Sequence, residues 1–288
     1  MRLLPNVLLF ALSSAAGELD NDLFVFNSGV TRLQDAPKTP EARVALVKEL
    51  GYAGIEGYGP ATHGPLKAAL TKAGLKMPCN YNKLELDPAK PPYDPGLKAM
   101  IANSSPGEAI WFHLHGKTFK DNPGAGDERA VTLLSELADY AAPYGVKLAA
   151  YPHKGNHCAT VEHSVRLAKM VARPNVGAVI NLCHLLAVEG ADGIEEKIRM
   201  AAPYLIAASI NGADAGNTRN MTWKQLIQPL GEGTFDAYAF VKTLKDAGYD
   251  GPIGLQCYNI QGTSRGVLTR SMNTWRAYQK RYAEDSKR

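Results

Sequence analysis

A chain of 288 residues, 45% hydrophobic and 21% charged, can bury a large core, and barrels of this length fold as one domain. Its formal charge of +4 comes from 32 Lys and Arg scattered among 28 Asp and Glu, with no basic block, which argues against a nucleic-acid partner. Cys79, Cys158, Cys183 and Cys257 form no CxxC pair and no zinc-ribbon spacing, so they read as buried thiols, with a disulfide as the lesser alternative.

The chain opens on MRLLPNVLLFALSSAAGELD: one basic residue, an apolar run, then small residues with Ser14 and Ala16 placed as at a cleavage site. Residues 1–17 therefore read as a signal peptide, too short for a comfortable membrane span. The expected location is exported or periplasmic with no membrane attachment after cleavage. The alternative is a cytoplasmic protein whose N-terminal extension packs on the domain.

From residue 20 to 288 apolar, β-rich runs alternate with stretches of helical period. The predicted strands are LFVFNSGV, YAGIEGYG, LKMPCNYN, AIWFHLHG, VKLAAYPH, VGAVINLCH, LIAASINGAD and GPIGLQCYNI, eight in all. Between them TPEARVALVKELG carries Thr39 as a cap, Pro40 in the first turn and Gly51 as a stop, and TVEHSVRLAKMV lines Val161, Val165, Ala168 and Val171 along one face. The phrases LGYAG, AGLKM, YGVKL and AGYDG repeat one helix-to-strand turn. The longer connection from Gly216 to Asp236 reads as a lid or rim loop. The pattern predicts an α/β fold, a single (β/α)8 TIM barrel, with a doubly wound sheet as the alternative; no GxGxxG follows the first strand, so dinucleotide binding has no support.

Active sites of such barrels lie at the C-terminal strand ends. Those ends carry Asn27, Glu56, Asn80, His113 and His115, Tyr151, His153 and Lys154, Asn181 and His184, Asn211 and Asp214, Gln256 and Tyr258. Any one of these polar groups can be explained as a satisfied buried residue. Their convergence on one mouth predicts a pocket.

The phrases YPHKGN, NLCH, NGAD, LGEGTFD and GPIGLQCYNI, together with the repeated turns, resemble the xylose isomerase-like TIM barrel superfamily, which includes sugar phosphate isomerases and epimerases and endonuclease IV-like enzymes. The resemblance runs from about Leu23 to Trp275. It implies a divalent cation held by Glu, Asp, His and Glu at the ends of strands five to eight. Here those places fall on Tyr151, Asn181, Asn211 and Gln256, while His153, His184 and Asp214 match the accompanying His and Asp. Four neutral side chains do not suit Mg²⁺ or Mn²⁺, so no cofactor is expected. A divalent metal held by His113, His115, His153 and His184 is the alternative.

The chemistry left is proton abstraction beside a carbonyl. Glu56, His153, Lys154 and His184 are the candidate catalytic residues, with Lys154 or the amides as donors to an oxyanion. His115, Tyr151, Asn181, Asn211, Asp214, Gln256 and Tyr258 are the candidate substrate-binding residues. The expected partner is a small-molecule carbohydrate, with homo-oligomerisation left open. The first functional expectation is a sugar or keto-sugar isomerase or epimerase, or a β-eliminating lyase, working without the usual metal. The alternatives are a non-catalytic sugar-binding protein of the same descent and, third, an endonuclease IV-like phosphodiesterase.

Overall fold

The structure is a computed structural model that describes residues 17–287. Apart from Gly17, the expected signal peptide lies outside the described residues. Nine parallel strands form one sheet: β1 (Leu23–Val25), β2 (Gly54–Ile55), β3 (Gly57–Tyr58), β4 (Cys79–Glu85), β5 (Ala109–His115), β6 (Lys147–Ala150), β7 (Val176–Asn181), β8 (Leu205–Ile210) and β9 (Ile253–Leu255). Their order is β2-β1-β9-β8-β7-β6-β5-β4-β3. The two outer segments, β2 and β3, are separated in sequence by Glu56 alone, so the sheet bends into a nearly closed barrel of eight staves, the predicted α/β fold.

Every predicted strand is present, though the boundaries move. Pro78 has no N–H for the ladder, so β4 starts after it and continues to Glu85 rather than ending at Asn82. At the seventh strand the chain turns helical at once: Asn181 closes β7, and its Oδ1 accepts the His184 N–H at 3.1 Å as the N-cap of the helix Leu182–Val188. Cys183 and His184 thus stand on a helix rather than a strand. The predicted helix signals hold. Thr39 Oγ1 accepts the Ala42 N–H, Thr160 Oγ1 accepts the His163 N–H, and Gly51 ends its helix at φ 92°.

Strand alternation then sorts the side chains. Phe24, Ala109, Trp111, Ala149, Val179 and Ala207 fill the barrel lumen, while Ile110, Phe112, Leu114 and Leu148 face the helices. Gly254 on β9 leaves the room that the Phe24 and Phe26 rings occupy, where a Cβ would collide with both. Burying a ring such as Phe24 contributes about 2–3 kcal/mol. All four cysteines are buried free thiols. Among the described residues no helix is long and apolar enough to cross a membrane.

Candidate active site

The period that sends Trp111 into the lumen sends His113, two residues on, to the mouth; on the neighbouring strand Ala149 is followed likewise by Tyr151 and His153. A cavity of about 410 Å³ opens there. Of the sequence-predicted residues, Asn27, Glu56, Tyr151, His153, His184, Gln256 and Tyr258 line it.

Glu56 sits in the gap between β2 and β3. Its backbone N–H donates to Val25 at 2.8 Å, and its Oε2 accepts the Asn27 N–H at 3.1 Å. Its other carboxyl oxygen, Oε1, is buried with no hydrogen-bond partner. Burial pushes the carboxyl up to about 8, against the pull of the Asn27 N–H and the neighbouring Trp111 indole. At neutral pH this side chain is a carboxylic acid with a proton to give.

Across the mouth the His153 and His184 rings lie 4.0 Å apart between centroids. Burial holds both imidazoles below their ordinary value, so both are neutral at pH 7. Their backbone partners set different tautomers. His153 Nδ1 is 2.8 Å from the Lys154 carbonyl, an acceptor, which places the proton on Nδ1 and leaves Nε2 a lone pair. His184 Nδ1 accepts the Lys154 N–H at 3.3 Å, which places its proton on Nε2. One ring is a base and the other a donor.

Behind them, the Asn181 Nδ2 amide donates to the Tyr151 hydroxyl, while Asn181 Oδ1 accepts from the Cys183 thiol at 3.0 Å as well as capping its helix. With its oxygen occupied as an acceptor, the Tyr151 hydroxyl keeps its own proton for a third group. Burial, with smaller contributions from Cys183 and Tyr81, keeps this phenol protonated well above its usual range. Gln256 Oε1 accepts the Tyr258 N–H at 2.9 Å, so its amide hydrogens remain as donors.

The four positions that the family resemblance assigns to metal ligands do not fit a divalent cation. Tyr151 and Asn181 are bonded to each other, Gln256 Oε1 is taken by backbone, and Asn211 Nδ2 donates to the Gly212 and Leu226 carbonyls at 2.8 and 2.7 Å. No carboxylate or imidazole stands among them. The four-imidazole alternative is corrected: these histidines do not form a ligand group among the described residues. His113 Nδ1 and His115 Nε2 pair at 2.9 Å and His153 pairs with His184, but the four do not converge on one point. Among the described residues, the ligand atoms that gather within 4.8 Å are those of Asp127, His157 and His163, which leaves a divalent metal open at a place the sequence reading missed.

The other predicted residues stand around the cavity rather than on its walls. Lys154 is exposed, its Nζ 5.9 Å from the centre of the Trp223 ring. His115 lies behind His113, and Asn211 and the Asp214 backbone anchor the rim loop through Leu226 and Gln225. That loop brings Trp223 and Ile227 to the cavity wall. Thr222 and Gln225 form a capping box that starts the short helix Trp223–Leu226, and Trp223 meets His184 edge to face at 5.2 Å. Trp223 and Arg32 both line the cavity, and sequence reasoning missed both. An aromatic within a predicted rim loop was the available signal for Trp223. Arg32 follows the first strand by seven residues and carried no signal.

The fold and this mouth define a parallel (β/α) barrel with its cavity at the C-terminal ends of the strands. A family model, xylose isomerase-like TIM barrel, matches residues 44–278, and the chain belongs to that family. Inosose isomerase of Bacillus subtilis (strain 168) is 27% identical over 131 residues, 45% of this chain; the match spans under half, 46%, of that relative's length. The fold is shared with the IOLI protein, solved with a binding zinc atom, at 18% identity and a TM-score of 0.70 over 91% of this chain and 99% of that one. It is also shared with L-ribulose 3-epimerase, at 16% identity and a TM-score of 0.72 over 92% and 96% of the two chains. The 3-keto-D-glucoside 4-epimerase of E. coli gives 15% identity and a TM-score of 0.69 over 88% and 98%.

Proposed function

We propose that the mouth binds a small carbohydrate and that the protein is a sugar isomerase or epimerase working by proton transfer beside a carbonyl. The observation that carries this reading is the pairing across one cavity of a buried, protonated Glu56 with a free Oε1 and a neutral His153 with an open Nε2. Acid and base in their working states at one pH are what two-face proton transfer needs. His153 takes the proton from the carbon beside the carbonyl, and the electron pair left behind moves onto the carbonyl oxygen. Tyr151 and His184 hydrogens stabilise that oxyanion in the role a metal ion fills elsewhere. Glu56 returns a proton to the same carbon from the opposite wall for epimerisation; for isomerisation it protonates the former carbonyl carbon, while the hydroxyl on the adjoining carbon gives its proton to the oxyanion and becomes the new carbonyl. Solvent then resets both groups.

Kinship to inosose isomerase and the shared fold with keto-sugar epimerases support the general class. The β-eliminating alternative draws no support from them. An endonuclease IV-like reaction asks for zinc ligands that the four neutral mouth positions lack. The neutral positions favour one second reading, a sugar-binding protein without turnover. Solvent-deuterium exchange into a panel of keto-sugars and inososes tests both. Exchange lost in Glu56→Gln and His153→Gln supports the enzyme. Sugar binding without any exchange by the wild type supports the binding protein and overturns the enzyme.

A further inference from the structure

We propose that Asp127, His157 and His163 form a binding site for a divalent transition metal of zinc type, outside the sugar cavity and independent of the function proposed for it. Three separate pieces of chain build it: the second turn of the helix Pro123–Ala141, the first turn of the helix Val161–Val171, and the loop after β6. His157 Nε2 and His163 Nε2 lie 2.9 and 2.7 Å from the same oxygen, Asp127 Oδ1, and all three ligand atoms fall within 4.8 Å of one another. Two imidazoles and a carboxylate are the donor set zinc prefers, and three protein ligands leave a fourth place for water.

The surroundings suit the role. Side-chain exposure is 5% for His157, 7% for Asp127 and 14% for His163, so the site is enclosed yet reachable past His163. His157 is wedged between Gly116 and Gly126, where a Cβ on either glycine would strike its side chain. Its backbone N–H is fixed to the Leu114 carbonyl at 2.9 Å. The second carboxyl oxygen of Asp127 takes the Arg166 guanidinium at 2.6 Å, an outer partner that orients the carboxylate and leaves Oδ1 to the imidazoles. Burial opposes ionisation of Asp127, but the His163, His157 and Arg166 contacts outweigh it and hold the group anionic; burial keeps His163 neutral. The loop that bears His157 also carries His153, whose N–H donates to the Cys158 carbonyl at 3.0 Å, so an ion here ties down the segment that presents the proposed base.

The test is equilibrium dialysis of the full chain, stripped with chelator, against Zn²⁺, with Co²⁺ as a spectroscopic probe. The expected result is about one ion per chain with the visible bands of low-coordinate Co²⁺. His163→Gln keeps a hydrogen-bond donor for Asp127 but is a poor ligand, and together with Asp127→Asn it should weaken binding by more than the roughly 10–100-fold that loss of an outer partner costs. Circular dichroism of each apo variant establishes that it is folded. No stoichiometric binding by the wild type, or binding unchanged in folded His163→Gln, overturns the site.

Discussion

The Asn181 amide donates to the Tyr151 hydroxyl, joining the end of β7 to the residue just past β6 at two positions where the family resemblance calls for metal-binding carboxylates. This contact satisfies one group with the other and leaves the phenol proton for a third. Tyr151→Phe removes both effects. The variant leaves a buried amide unpaired, and a stability loss of about 1–3 kcal/mol is expected in urea titrations. Turnover should fall roughly a hundredfold with KM little changed, because the hydroxyl is asked to act on the oxyanion.

Glu56 should make stability depend on pH. Between the ordinary carboxyl value of 4.5 and its folded value of about 8, the folded chain holds one proton more than the unfolded chain. Stability therefore falls as pH rises through that window, at up to about 1.36 kcal/mol per unit, on the order of 5 kcal/mol across it. Below the window both states are protonated and the effect vanishes. Glu56→Gln, neutral at every pH, should flatten the slope and exceed the wild type above about pH 7 in chemical denaturation.

The Glu56 shift, with that of His153, also sets the rate profile. Activity should rise with pH while His153 loses its proton, at a value below 6.5, and fall as Glu56 ionises near 8. A profile of kcat/KM against pH should be bell-shaped. His153→Gln should cost about 10²–10⁴ in kcat. A falling limb that persists unchanged in a residually active Glu56→Gln would assign that limb to another group.

The rim supplies binding more than chemistry. Trp223 faces His184, and half-exposed Tyr58 and Tyr258 stand beside the opening, as aromatic faces suited to a sugar ring. Trp223→Ala should raise KM about tenfold or more and change kcat less, read from initial rates or from calorimetric sugar binding.

The barrel was legible because its signals are local. Thr39, Gly51 and Thr160 act within a few residues of themselves, and the alternation that buries Trp111 is visible in seven letters of β5. The strand ends were legible for the same reason, which is how Glu56, His153 and His184 came to be named together. Side-chain direction beyond the strand end was not. Lys154 and His153 are adjacent in sequence, yet one lines the cavity and the other lies over Trp223 at the surface, a difference made by the path of the loop. Asp127, His157 and His163 belong to two helices and a loop, and their 30- and 6-residue spacings form no periodic pattern; only packing of those helices side by side reveals them.

The Tyr151 and Asn181 pair also bears on what either position can accommodate. An Asp at 181 would keep the helix cap but bury a charge beside a phenol, and a Glu at 151 would bury one beside an amide, each without a cation to balance it. Such an unbalanced charge costs several kcal/mol, a large share of the 5–15 kcal/mol that typically holds a domain together. The hydrogen bond therefore couples the two positions: a carboxylate introduced at either one alone is a buried, unbalanced charge, and with Asn211 and Gln256 also neutral only concerted changes at several strand ends would offer a cation enough charge to offset it.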